Sequence, residues 1–302
     1  MSRVAITPQL MTALFQGFKA LFQKGWDAGE TFYQEICTIV PSKTSKEIYA
    51  WLGQSTGFRK WVGDRVIQAL GTHDFTITNE HFENTIGVNK NQIDDDETGT
   101  LSTVFEQLGR DAKEHPDEVV FELLKTGRVA KCYDGKPFFA SDHPVSNKLG
   151  KITAVSNLTT EAGNKPTWYV FDTTKVVKPM IWQKRKDYDF VRLDQATDSI
   201  VFQKNEALYG ADARVAAGFG LWQLAHACDK DLTADNFKAV RAAMRGLKGD
   251  NGRPLRVRPT VIMVGTSQES AAESIFLVKT LANGGDNPLY NQVKVIVNPF
   301  LD

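Results

Sequence analysis

The sequence has no surplus of either charge: its 302 residues hold 36 Lys+Arg and 36 Asp+Glu. A protein that grips a polyanion along a groove carries a basic excess, so dedicated nucleic-acid binding by the whole chain is excluded. Cysteine is scarce. Cys37, Cys132 and Cys228 are odd in number and far apart, which excludes a disulfide framework and points to a reducing compartment. Long apolar runs are missing as well, since none reaches the roughly 18 residues of a spanning helix. The stretch from Val4 to Phe22 is interrupted by Pro8, Gln9, Thr12, Gln16 and Lys19 and does not make a signal peptide. These absences imply a protein made and kept in a cytoplasm, with no membrane partner. What remains is ordinary globular composition, 42% hydrophobic, enough for one large domain or two medium ones.

Catalytic and ligand motifs are equally sparse. Ser141-Asp142-His143 contains the residue types of a hydrolytic triad, but consecutive side chains diverge and no nucleophile elbow accompanies them. Cys132 with His143, and His226 with Cys228, lack the tight spacing of structural zinc ligands. Gly218-Phe-Gly220 starts like a dinucleotide fingerprint, yet position 223 is Gln, and no phosphate-cradling Gly-Lys-Ser/Thr loop exists. The basic clusters Lys184-Arg185-Lys186 and Arg253, Arg256, Arg258 are small and read as solvated edges. The expectation is no catalytic residue, no cofactor and no metal. The enzymatic alternative is a hydrolase built around Cys132, Asp134 and His143.

The elements that are present begin with Thr7-Pro8, a helix start with Thr as N-cap. Leu10, Met11, Leu14, Phe15, Phe18, Leu21 and Phe22 form one apolar stripe that Gly25 should end; the stripe must be buried by its own body or by a neighbour. Ile48–Leu52 and Phe58–Val62 flank Gly53–Gly57 as a hairpin with Trp51, Phe58 and Trp61 near its tip, where aromatics suggest a contact surface. Phe75–Thr78 and Thr85–Asn89 alternate like half-buried strands. Asp94–Glu97 reads as the acidic first turn of a helix. Leu101 to Ala112 line that helix, His115-Pro116 should break or kink it, and a second piece should stop at Gly127. Trp168–Phe171, Val176–Trp182 and Ser199–Phe202 read as strands. In the last third Thr233 caps a helix with Phe237, Val240, Ala243, Met244 and Leu247 inward. Thr260–Val264 is a buried strand, Ser267 opens a helix through Val278 and Ala282, and Val293–Val297 completes a parallel crossover.

Several motifs in fixed order carry a resemblance: Tyr133–Phe139 with Asp142-His-Pro144, Tyr209-Gly-x-x-x-Arg214 with Gly218–Gln223, Gly252-Arg-Pro-Leu255, Pro259–Val264 and Val295–Pro299. With the order of elements, they make the chain resemble the Mu-like major head subunit (gpT) family, major capsid proteins of tailed bacteriophages. The resemblance implies an α+β fold of the Hong Kong 97 phage type. It places an N-terminal arm at 1–44, an E-loop hairpin at 45–75 and a peripheral domain at 76–231, with spine helix 97–126 and strand-rich segment 166–225. An axial domain at 232–287 and a C-terminal strand at 288–302, returning to the peripheral sheet, complete it. The implied function is self-assembly into the icosahedral shell around a double-stranded DNA genome, as hexamers and pentamers in a virion assembled in the bacterial cytoplasm. A separate scaffold/protease, a portal and a decoration protein are implied partners, with weak non-specific contact to packaged DNA.

Arms and hairpins without cores of their own suit contacts donated to neighbours, and Trp and Arg lead at interface hot spots. Leu14, Phe15, Phe18, Trp51, Phe58, Arg59, Trp61 and Arg65 are therefore the expected subunit-interface residues. A tail or connector protein is the other structural alternative.

Overall fold

The computed structural model describes residues 7–49, 75–94, 98–147, 149, 151–163, 165–195, 197–249 and 252–302. Helix α1 (Pro8–Ala28) starts on its cap, the Thr7 hydroxyl accepting from the Leu10 N–H at 3.2 Å. It continues past Gly25 to a C-cap at Gly29. A short helix α2 (Tyr33–Ile36) leads into strand β1 (Cys37–Pro41), and β2 (Lys46–Ile48) pairs antiparallel with β3 (Thr76–Thr78). The hairpin expected from Ile48–Leu52 and Phe58–Val62 falls between these two strands in the sequence. Residues 50–74, with Trp51, Phe58, Arg59, Trp61 and Arg65, lie outside the described residues, as do 95–97 of the acidic run.

After β4 (Glu80–Asn89) and α3 (Lys90–Asp94) comes the long helix α4 (Thr98–Lys125). It passes through Pro116 as one helix, not two. The missing proline N–H costs a backbone hydrogen bond, but apolar residues on both sides of it are buried: Phe105 and Leu108 before, Val120, Phe121 and Leu124 after. Both halves are thus held in the fold by packing. Gly127 falls in a 3-10 turn just beyond the helix end, near where the stop was expected.

The remaining strands and helices are β5 (His143–Ser146), β6 (Ile152–Val155), β7 (Leu158–Thr159), β8 (Trp168–Phe171), β9 (Met180–Leu193), α5 (Ser199–Lys204), β10 (Glu206–Phe219), β11 (Ala225–Cys228), α6 (Ala234–Arg245), β12 (Val261–Val264), α7 (Glu269–Phe276) and β13 (Lys294–Val297). They form two main sheets, ordered β1-β9-β10-β4 and β13-β12-β8-β11-β7, and small pairs β2-β3 and β5-β6. In the first sheet Tyr209 sits opposite Arg192 on one side and Ile86 on the other. Three apolar clusters hold the layers. One lies between α1, α4 and the first sheet around Phe18, Phe105 and Tyr209. One is central around Phe121, Trp182, Phe219 and Trp222. The third lies under α6 and α7 around Trp168, Phe237, Ile262 and Phe276.

Several expectations are corrected. Ser199–Phe202 is helix α5, because Val201 is buried while Asn205 at φ 56° ends a helical turn; a short apolar run fits either period. The strand expected from Val176 begins at Met180. Ala243 faces solvent on α6. Helix α7 stops at Phe276, where the Asn287 side-chain amide donates to the Ile275 and Val278 carbonyls at 2.9 and 2.8 Å, leaving Val278 and Leu281 exposed in a following turn. The C-terminal strand β13 pairs in parallel with β12, in the five-stranded sheet that also contains β7, β8 and β11 from within the segment 76–231. The boundary expected at 231/232 therefore runs through one hydrogen-bonded layer.

Candidate functional site: a buried polar cluster and the exposed clefts

Fold and burial bring the three residues of the enzymatic alternative together. A tight turn, with Gly135 at φ 80° and its N–H donating to the Cys132 carbonyl at 3.0 Å, places Cys132 and Asp134 on one side of a loop. His143 enters from the start of β5. Its Nδ1 lies 2.7 Å from Asp134 Oδ2, and the Cys132 thiol donates to Asp134 Oδ1 at 3.1 Å. His143 Nε2 faces Asn157 Oδ1 at 3.2 Å, and the ring stacks on Trp222 with centroids 3.9 Å apart. Asn157 in turn donates to the Phe138 and Trp222 carbonyls and accepts from the Ala140 N–H. Loop, strand and central core are stapled through one fully buried imidazole.

The same geometry denies the cluster nucleophilic chemistry. A catalytic thiol hands its proton to an imidazole and sits where a substrate can reach it; here the carboxylate lies between them. Burial pushes the Cys132 thiol well up, and the Asp134 charge adds to the effect. Asp134 itself is held below its ordinary value: burial raises it, but hydrogen bonds from His143, Cys132 and the Lys136 N–H outweigh that. Ser141 is exposed and Asp142 pairs with Lys136, so the Ser-Asp-His string diverges as expected. Cys132, Asp134 and His143 are the one group of three close donors of metal-ligand type among the described residues. A structural zinc site takes four, and His226 and Cys228 lie elsewhere, His226 on the Thr159 hydroxyl at 2.8 Å and held neutral by burial, its value lowered to about 4.

The helix α1 stripe is covered from within. Phe18 stacks on Phe105 at 4.1 Å and meets Tyr209 edge-on at 5.1 Å, and Met11 and Phe22 are buried beside it. Phe18, expected at a subunit interface, is covered within this chain by Phe105 and Tyr209. Leu14 and Phe15 are half-buried, Phe15 lying against Phe190 with Arg192 over its ring at 4.5 Å. The ends of the β2–β3 pair are fastened by a buried network in which Tyr49 Oη donates to Gln183 Oε1 and Gln183 Nε2 to Asn79 Oδ1, both 2.8 Å. Beside them opens an apolar groove of about 390 Å³ lined by Phe75, Ile77, Val119, Leu123 and Ala217. A second cleft of about 370 Å³, between α4 and the strands β4 and β10, has Glu83, Asp111 and Glu118 on its rim.

The basic residues sort unexpectedly. Lys184 and Lys186 are paired with Asp187 and Asp212. Arg258 instead faces Arg241 and Arg245 across a cleft of about 310 Å³. The spacing of Arg241 and Arg245, one helical turn apart, is visible in the sequence; their meeting with Arg258 is not.

Comparison with known proteins matches this architecture along its whole length. A model of the family described as Mu-like prophage major head subunit gpT matches residues 11–301. The chain is 38% identical over 305 residues to the Mu-like prophage FluMu major head subunit of Haemophilus influenzae, covering 98% of this chain and 99% of that protein. It is 35% identical over 303 residues to the major capsid protein of Escherichia phage Mu, with the same coverage. Among solved structures, a chain from the procapsid of bacteriophage JBD30 superposes with a TM-score of 0.86 at 41% identity, covering 98% of this chain and all of that one.

Proposed function

This chain belongs to the Mu-like prophage major head subunit gpT family, and from that premise we propose how its parts serve a shell. It is the major capsid protein of a tailed bacteriophage, a structural protein and not an enzyme, with the α+β fold of the Hong Kong 97 phage type. It works as one of many identical copies in a virion capsid. The whole-length likeness to a procapsid chain carries this conclusion.

The finer assignment is a reading of topology. Residues 1–44 serve as the arm and 45–75 as the E-loop, whose feet are β2 and β3. Helix α4 serves as the spine of a peripheral domain with the four-stranded sheet. The axial domain is built on α6, α7 and the five-stranded sheet, and so draws β8 and β11 from the segment before residue 232. Leu14, Phe15, Trp51, Phe58, Arg59, Trp61 and Arg65 make contacts between copies, each modest and multiplied by symmetry into hexamers and pentamers. A separate scaffold/protease and a portal complete the particle in the bacterial cytoplasm. A decoration protein is a further partner, since the JBD30 capsid has been solved decorated with minor capsid protein trimers. Zero net charge suits weak, non-specific contact with packaged DNA.

Sedimentation and negative-stain microscopy of the chain expressed with its neighbouring genes test the reading. Particles are expected from the unaltered chain, and folded subunits without particles from Trp61→Ala. Normal shells from that variant would refute the hairpin's role, and no particles from the unaltered chain would refute the capsid reading itself.

A further inference from the structure

We propose that the cleft formed by Arg241, Arg245 and Arg258 receives carboxylate side chains from a second copy of this chain, as an ion-pair contact between shell subunits; the proposal rests on the capsid reading. Arg241 and Arg245 project from one face of α6, Arg258 comes from the segment before β12, and Gln292 and Pro259 close the cleft. A contiguous depression of about 320 Å³ shares both helix arginines and adds Lys238, Pro288 and Leu289. No carboxylate lines either one. Arg110, Arg128 and Arg192 are matched within the chain, with Glu114, Asp229 and Asp194, whereas Arg185, Arg214, Arg253 and Arg256 stand singly without an ion pair among the described residues; what sets the cleft apart is that three arginines line one space. The three cleft arginines have no ion-pair partner among the described residues. The C-terminal dipole of α6 accounts for Arg245 at the last turn but not for Arg258, which approaches from another segment. Three like charges converging on one space repel one another, and an incoming anion relieves that repulsion.

The form of the cleft favours a side chain over nucleic acid. A duplex is held by cations spread along successive phosphates, and a single strand by stacking aromatics; here three arginines line a single volume that fits one or two side chains, with no aromatic in the lining. Arginine forks suit bidentate carboxylates. Net neutrality means that this local basic excess is balanced by acid elsewhere on the same molecule, as on the Glu83, Asp111 and Glu118 rim. Identical copies therefore carry both halves of a complementary contact.

The test compares Arg241→Gln/Arg245→Gln, Arg258→Gln and the matching Lys variants with the unaltered chain in the same expression context. Melting of the soluble subunits should be unchanged within a few degrees. Sedimenting particles should fall about tenfold or more, the effect of losing roughly 1.4 kcal/mol of contact. Lys should rescue only in part, keeping charge without the fork. Unchanged particle yield would overturn the proposal, and so would normal shells that have lost their DNA, which would assign the cleft to phosphate. Should the Gln variants melt early, salt decides: assembly of the unaltered chain should weaken as salt is added, and indifference to salt would overturn the proposal. Absence of particles from the unaltered chain would count against the capsid reading instead.

Discussion

Helices α1 and α4 approach so closely that each uses a glycine as the contact point, and this gives the sharpest test of how the arm is held. A Cβ on Gly25 would lie 1.8 Å from the Glu106 carbonyl oxygen, and one on Gly109 would lie 1.9 Å from the Phe22 carbonyl oxygen. Real Cβ contacts are longer than 3.0 Å, so alanine at either site forces the two backbones apart by more than an ångström. A gap of that size forfeits about a quarter to a half of the dispersion energy across it, and the Phe18–Phe105 stack lies on this seam. Overpacking of this kind costs about 1–3 kcal/mol, against about 1 kcal/mol gained by replacing a helical glycine. If α1 instead lets go, exposure of Met11, Phe18 and Phe22 sets a ceiling of about 2 kcal/mol each. Gly17 is the internal control. It lies on the same helix, exposed, with nothing within 4 Å of a Cβ, so Gly17→Ala should stabilise by about 0.5–1 kcal/mol. Urea unfolding of soluble subunits followed by far-UV circular dichroism should separate Gly17→Ala from Gly25→Ala by about 2 kcal/mol, with opposite signs. Gly25→Ala or Gly109→Ala at or above wild-type stability would refute the close approach.

Asp117 is buried and accepts from the Phe32 N–H at 2.8 Å and the Tyr33 N–H at 2.7 Å, yet burial outweighs these bonds and lifts its pKa to about 6. A carboxyl raised in the folded state binds its proton more readily there than in the unfolded chain. Relative to Asp117→Asn, wild type should therefore gain about 2–3 kcal/mol as pH falls from 7 to 4, read from urea midpoints; a difference flat with pH refutes the assignment. All three cysteines are buried and pushed upward by desolvation. The native protein should resist Ellman's reagent at pH 8 until denaturant releases three thiols, and rapid labelling of any one in the native state would refute its burial. His143→Ala leaves Asp134 buried without its partner and removes the ring stacked on Trp222. It should cost about 3–5 kcal/mol, measured as a lowered urea midpoint, and a loss under about 1 kcal/mol would deny the staple.

What was legible in the sequence was what local chemistry decides. Thr7-Pro8 and Thr233 cap helices wherever they occur in such a context, and both hydroxyls accept as read, from Leu10 and Asn236. Trp168–Phe171 and the strand at 261–264 were readable because fully buried strands are short apolar runs. Gly25 does not stop its helix, for a reason of the same kind inverted: a glycine late in a helix signals a stop unless another backbone needs its missing Cβ, and that backbone lies over eighty residues away in the chain. Pro116 shows the complementary limit, where packing on both flanks outweighs a local rule. Cys132, Asp134 and His143 are visible as residue types, but their role turns on an ordering that no spacing reveals, with the carboxylate between thiol and imidazole and the imidazole held against Trp222 and Asn157. The arginine cleft divides in the same way. The pairing of Arg241 with Arg245 follows from 3.6 residues per turn, whereas Arg258 and Gln292 reach it only because β12 and β13 run parallel in one sheet and deliver the segments before them to the same end. Contacts fixed by topology cannot be read from either segment alone. For that reason the surfaces by which one copy meets another are the least visible part of such a sequence, although they carry its function.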